Sequence, residues 1–271
     1  MSEKPRIVFW FSAGTASAVN TKLGLAKYRA THETAVARCI VPEEHPDNDR
    51  FARECETWFD HPILNLKSTE YESCEAVWRK RRYMAGVKGA PCTIEMKKAV
   101  RWAFEESWHP DSQGFGYTAE EGGRAEQFRQ QNPEIDLVTM LIQKGLTKQD
   151  CHAMVSRAGI EIPAMYRLGF NNANCIGCVK AQSPAYWAKV RLHFPDVFEA
   201  RATLSRELGV RLIKGTSGDR LRSFLDELPA DESPHGVDPS LDCSLLCQIA
   251  ESGLEAEGLA ERQPERSEAV T

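Results

Sequence analysis

No stretch of this sequence stays apolar for the roughly twenty residues that a bilayer-spanning helix needs, and no internal repeat is visible in it. The apolar run near the start, Arg6-Ile-Val-Phe-Trp-Phe11, is too short for a leader and has no small-residue cleavage site behind it. These absences argue against a membrane-embedded or repeat protein. The expectation is a cytoplasmic one, with no membrane partner and with reduced thiols. A dominant charge of one sign is also lacking, since the net charge is only −5. That figure covers an asymmetry. Residues 231–271 hold ten Asp/Glu against two Arg, a net of −8, which leaves the preceding 230 residues at about +3. A mildly basic body permits an anionic partner without requiring one.

What is present is ordinary for a globular core, with 42% hydrophobic and 27% charged residues in a chain of 271. The nine cysteines are the exception. Two close pairs, Cys175-Ile-Gly-Cys178 and Cys243-Ser-Leu-Leu-Cys247, lie in turn-rich segments. Thiolates at such spacing can converge on one soft metal centre, so Cys175, Cys178, Cys243 and Cys247 are the expected ligands of an iron–sulfur cluster or a zinc ion. Two local disulfides or four unrelated thiols are the plainer readings. Cys39 falls in a strand-like run and Cys55 and Cys74 in helical patterns, where packing accounts for them.

The spacing of apolar residues predicts strands at Arg6–Phe11, Thr34–Val41, Ile63–Leu66 and Gly114–Thr118. Helices are expected at Ser17–Ala30, Asp49–Phe59, near Glu70–Lys80, at Thr93–Trp108 with Thr93 as cap, and from Thr118 to about Gln131. Strand–helix alternation indicates an α/β fold, an open parallel sheet with flanking helices. Beyond Thr147 the pattern turns helical. The expected organisation is an α/β domain over 1–168, a helical cysteine-bearing region over 169–250, and an acidic flexible tail over 251–271.

The first predicted strand runs directly into Ser12-Ala-Gly-Thr-Ala-Ser17 and then a helix. Clustered backbone N–H groups and a helix N-terminus suit a phosphate, although many strand–helix turns use small residues only for packing. This loop resembles the Ser-Gly-Gly-x-Asp-Ser loop of the PP-loop ATP pyrophosphatases. Pro91-Cys-Thr-Ile-Glu-Met-Lys97 resembles the Cys-Thr-x-x-x-Lys element of their phosphoadenosine-phosphosulfate (PAPS) reductase-like branch. Gly114-Phe-Gly-Tyr-Thr-Ala-Glu-Glu-Gly-Gly-Arg124 resembles that branch's strand and Arg-bearing loop. Thr147-Lys-Gln-Asp-Cys, Gly159 to Tyr166, and Gly169 to Cys178 are similar to its closing segment. These motifs keep their order over about residues 6–200.

The resemblance implies a fold of the HUP/PP-loop type that binds adenine nucleotide (ATP with Mg2+). Ser12, Gly14, Thr15 and Ser17 would hold the phosphates. Lys97 and Arg124 would supply positive charge, and Cys92 would act as a ligand or sulfur carrier, or else merely precede the Thr93 cap. His45, Asp47 and Asn48, in the loop after the second strand, are candidates for ribose, base or metal contact; as turn formers they are equally well explained. The chain departs from the pattern at Ala13, where a Gly is expected, and at Ala16, where an acidic residue is expected, which puts Mg2+ handling in question; Glu120, Glu121, Asp47 and Asp49 are the carboxylates that could compensate. The reductase nucleophile motif Glu-Cys-Gly and the adjacent Cys-Cys of its iron–sulfur branch are both missing. Those two absences make sulfonucleotide reduction the second reading. The first is ATP-dependent adenylation supporting sulfur transfer to a nucleic acid (DNA or tRNA), with a [4Fe–4S] cluster and a sulfur donor such as a cysteine desulfurase. A non-catalytic nucleotide- or nucleic-acid-binding accessory protein is the third, and a homodimer is left open. Trp78-Arg-Lys-Arg-Arg-Tyr83 and the Tyr186, Trp187, Lys189, Arg191 cluster are the candidate nucleic-acid surfaces, the plain alternative being a solvated helix end.

Overall fold

The computed structural model describes residues 4–86, 89–214 and 222–234, together with Leu254. Five strands, β1 (Arg6–Trp10), β2 (Glu33–Cys39), β3 (Leu64–Leu66), β4 (Ser112–Phe115) and β5 (Asp136–Val138), form one parallel sheet in the order β3-β2-β1-β4-β5. The central strand is apolar on both faces because both are covered, and Ile7, Val8 and Phe9 are fully buried. Successive strands step outward from β1 first on one side and then on the other. The change of direction falls between β1 and β4, and their carboxyl ends therefore open a crevice where α/β sheets bind ligands.

Helices α1 (Thr15–Tyr28), α2 (Asp47–Phe59), α3 (Cys74–Arg81), α4 (Pro91–Thr93) and α5 (Ala99–Trp108) follow in order. A π-helical segment, Ile94–Lys98, joins α4 to α5. The helix thus begins two residues before the expected Thr93 cap, because Pro91 is well suited to the first helical position and Ala90 takes the cap. Next come α6 (Gly122–Gln131), α7 (Met140–Gln143), α8 (Lys148–Arg157), α9 (Ala164–Arg167), α10 (Pro184–His193) and α11 (Pro195–Glu207). A two-stranded antiparallel piece, β6 (Ile213–Lys214) with β7 (Arg222–Ser223), closes the described chain. Strand β5 was not expected from the sequence, since three residues of an edge strand carry no periodicity. Among the described residues no helix is long and apolar enough to cross a membrane.

Two large cores lie around the sheet. The first packs Phe9, Phe11, Val19, Leu23, Phe51, Phe59, Leu141 and Met154 between the sheet and helices α1, α2 and α8, and Leu254 is buried in it. Leu254 lies within the stretch expected to be a free tail. The second core is built from two distant parts of the chain, Val41 to Met96 and Met165 to Leu228, around a fully buried Trp187. The division expected at residue 168 does not follow this core, because the 71–96 segment packs with the C-terminal helices.

Candidate active site: a phosphate loop beside a thiol cavity

At the carboxyl end of β1 the chain turns through Ala13 at φ 54°, a left-handed position that costs an L-residue about 1 kcal/mol, and enters α1 at Gly14. The turn ties itself down through Ser17. Its hydroxyl accepts from the backbone N–H of Ser12 at 3.0 Å and of Gly14 at 3.3 Å, and donates to Gly14 O at 2.8 Å. A small cavity of about 260 Å³ opens over this turn, lined by Ser12, Gly14, Ser17, Glu121, Arg124 and Lys148 among others. That volume suits the phosphate end of a nucleotide rather than all of it. A Cβ on Gly116, at the end of β4, would stand 2.8 Å from the Ser17 backbone, so only glycine lets β4 approach the loop this closely.

Of the four loop residues expected to hold phosphate, Ser12, Gly14 and Ser17 line the cavity. Thr15 points the other way. It is fully buried, and its hydroxyl meets His152 Nδ1 at 2.9 Å. Tyr166 completes a polar layer under the loop: it hydrogen-bonds with Thr15 and with the Ala173 backbone, and its ring stands edge-on to His152 at 4.6 Å. Burial, aided by the Lys148 charge, holds His152 neutral with its pKa down at about 4, and burial raises the Tyr166 hydroxyl to about 12.

Arg124 lines the cavity, ion-paired to Glu121 and lying over Tyr117 at 5.5 Å. Of the carboxylates that could replace the missing acidic residue, Glu121 lines the cavity, whereas Asp47 and Asp49 are committed to Arg50 and Arg38. Lys148, at the start of α8, adds a second cation that the sequence reading did not single out.

Lys97 does not join this cavity. The π-helical segment turns it into a larger one of about 700 Å³, lined by Cys74, Cys92, Cys175 and Cys178 together with Lys97, Lys180, Lys189 and Tyr186. The Cys74 thiol hydrogen-bonds with both Cys175 and Cys92. Its sharing lowers Cys92 to about 7 against the opposing effect of burial, and lowers Cys175, which Lys97 also favours as a thiolate. Burial raises Cys178. Lys97 itself loses solvation, but Glu44 at 2.9 Å and the Cys175 charge outweigh that and hold it above its usual range. Glu44 is in turn braced by Arg38 at 3.6 Å.

The Cys175-Ile-Gly-Cys178 turn depends on Gly177, at φ 64° and packed against Val197. Ile176 N–H donates to Glu43 O at 2.8 Å, which fastens the turn to the loop after β2, and Cys178 N–H donates to Tyr186 Oη at 2.8 Å. Cys74 was read from sequence as packing. It does pack in the second core, and as the first residue of α3, behind the Ser73 cap, it also lines the cavity, where its hydrogen bonds to Cys175 and Cys92 and its burial raise its pKa and hold it as a thiol. Cys243 and Cys247 lie outside the described residues, so their pairing with Cys175 and Cys178 is not described. Among the described residues no three His, Cys, Asp or Glu side chains are arranged to share a single metal ion.

His45, Asp47 and Asn48 line neither cavity. Asp47 is clamped by Arg50 at 2.6 and 2.9 Å and by Ala164 N–H at 2.7 Å, which lowers its pKa to about 2 and ties α2 to α9. His45 Nδ1 accepts the Asp47 N–H, and Asn48 is fully buried beside Glu44. The basic run on α3 is spent in ion pairs: Arg79 with Glu75 and Glu207, Lys80 with Glu70, Arg81 with Glu95. Trp78 is buried under Arg201 and Trp187 is wholly buried, so neither offers a stacking face. Arg191 clamps the carbonyls of Leu228, Pro229 and Ala230.

The two cavities are neighbours, for Asn172 and Asn174 line both. Solved structures similar to this chain include phosphoadenylyl-sulfate (PAPS) reductase from Candida auris, in a phosphate complex, at TM-score 0.44 and 11% identity, covering 63% of this chain and 81% of that one. Another is the U34-tRNA thiolase NcsA from Methanococcus maripaludis with its [4Fe–4S] cluster, at TM-score 0.40 and 11% identity, covering 97% of this chain and 84% of that one. No family model matches the sequence, and no curated protein matches it. At such distance this chain's chemistry has to be argued from its own residues.

Proposed function

We propose that this chain binds ATP at the Ser12–Ser17 loop to adenylate an oxygen of a nucleic-acid base, and that the thiol cavity serves the sulfur that replaces that oxygen. The base oxygen attacks the α-phosphorus and pyrophosphate leaves. A hydrosulfide equivalent from a sulfur donor then attacks the activated carbon, and AMP leaves with the oxygen. The observation that carries this reading is the adjacency of a phosphate-type cavity and a cavity lined by four thiols, joined at Asn172 and Asn174. Loop N–H groups, Arg124 and Lys148 would stabilise the charge that grows on the departing pyrophosphate. Exposed Asn171, Asn172 and Lys180 at the mouth supply amide edges and a cation for a nucleotide acceptor.

The donor set around the larger cavity is all thiol and partly shifted toward thiolate, which fits an iron–sulfur cluster. Cys74, Cys92, Cys175 and Cys178 would hold it. A lone zinc fits less well, since no three of these donors are placed to share one ion. The cluster, when bound, would supply iron, a soft Lewis acid with affinity for hydrosulfide. Lys97 adds a fixed positive charge beside Cys175.

Iron content and visible absorption of anaerobically purified protein test the ligand assignment. Cys74→Ser should abolish the absorption, while Cys55→Ser and the double change Cys243→Ser with Cys247→Ser should keep it. Iron lost with the second pair but retained without Cys74 would move the cluster to the two sequence pairs. Pyrophosphate release from ATP, measured with DNA and with tRNA, tests the activity. Release with neither would defeat the reading, and sulfite formation from an activated sulfate would replace it with a reductase.

A further inference from the structure

Among the described residues Lys148 is the one lysine lining the phosphate cavity, and its ammonium hydrogen-bonds to neutral groups. Nζ donates to Asn171 O and to Asn172 Oδ1, both at 3.0 Å, and among the described residues no carboxylate is within ion-pair distance of it. Glu120 takes the Lys148 backbone N–H at 3.4 Å and feels the lysine's charge without pairing with its ammonium. The lysine also stands at the amino end of α8, where the helix dipole disfavours a cation and favours an anion brought to it. A phosphate oxygen is a much stronger acceptor for an ammonium than a carbonyl or an amide.

The two acceptors it now uses belong to the wall between the cavities. Asn171 and Asn172 are exposed and line the thiol cavity, and Asn172 lines the phosphate cavity as well. The next residue, Ala173, is buried and held by Tyr166, so the loop has a fixed point there. For Asn171 and the side chain of Asn172, Lys148 is the tie.

We propose that Lys148 is a phosphate-binding and positioning residue: an anion in the phosphate cavity draws its ammonium off Asn171 and Asn172 and loosens the wall of the thiol cavity. The proposal rests on the nucleotide reading given above. It places the access of substrate to the thiols under the control of the nucleotide, with Ala173 as the pivot.

Hydrogen exchange of the full-length protein with and without ATP, together with the ATP dissociation constant, separates the possibilities. In the wild type, ATP should slow exchange at residues 14–18 and speed it at 171–172. Lys148→Gln should weaken ATP about tenfold, the usual effect of losing one charge-assisted hydrogen bond, and should leave 171–172 fast with or without ATP. Slowed exchange at 14–18 with 171–172 unchanged or slower overturns the Lys148 proposal and leaves the nucleotide site standing. ATP binding that is equal in wild type and Lys148→Gln also overturns it. No ATP binding by the wild type defeats both readings together.

Discussion

At the scale of single residues, the buried polar layer under the phosphate loop decides how the protein responds to acid. His152 is neutral in the folded state with a pKa near 4, against about 6.5 when unfolded. Above pH 6.5 the histidine is uncharged in both states and has no effect on the pH dependence. As the pH falls from about 6.5 to 4 the unfolded chain takes up the proton first, and stability drops by up to about 3 kcal/mol. Asp47 acts lower, because its ion pair holds it near 2 and its contribution is lost only below about pH 4. Urea unfolding across pH 4–8 should show this loss in the wild type and a shallower one in His152→Gln, which is less stable near neutral pH and keeps only the smaller contribution of groups such as His45, whose pKa burial also lowers. An unchanged slope in the variant would move the effect to another group. Neither residue's role was legible beforehand: His152 carries no motif, and Asp47 reads as a ligand-loop residue until Arg50 and Ala164 are seen to hold it.

Elements were easier to read than their ends. The β1–turn–α1 unit stands almost where the apolar run and the small residues put it, because a fully buried strand needs an unbroken run of apolar side chains. Its function depends on a second element brought alongside. Gly116→Ala should press a methyl into the Ser17 backbone at 2.8 Å, cost about 1–3 kcal/mol, and weaken nucleotide binding at least tenfold. Thermal melting and ATP titration check this together, and a variant that binds ATP normally would show that β4 does not shape the loop. The π-helical turn at Ile94–Lys98 was invisible in a sequence that reads as a plain helix, yet Lys97 on it lines the thiol cavity beside Cys175 rather than the cavity over Ser12–Ser17. π segments of this kind recur at functional sites.

Across the whole molecule, the second core matters most, since it joins Val41–Met96 to Met165–Leu228 around Trp187. Trp187→Ala should cost about 3–5 kcal/mol by leaving a cavity, and iron content should fall with it because Tyr186 and the Cys178 turn lose their support. Met154→Ala, in the first core, should cost about 2–5 kcal/mol and leave iron per folded protein unchanged. Denaturation curves with iron analysis distinguish the two. Equal iron loss in both variants would mean that the thiol cavity depends on global stability and not on this core.

Local order came from the sequence alone: the parallel α/β pattern, the small-residue turn Ser12–Ser17 between β1 and α1, and the Cys175–Cys178 turn with its glycine. Each is written in contiguous residues whose spacing has a direct steric or hydrogen-bonding consequence. Which thiols meet was a matter for the tertiary structure. Cys74 and Cys92 lie 101 and 83 residues before Cys175; Cys92 stood out only through its motif, and nothing around Cys74 distinguishes it from a packing residue. Burial of the second core brings α3, α4 and the Cys175–Cys178 turn around one cavity, because their apolar faces have no other place to be covered.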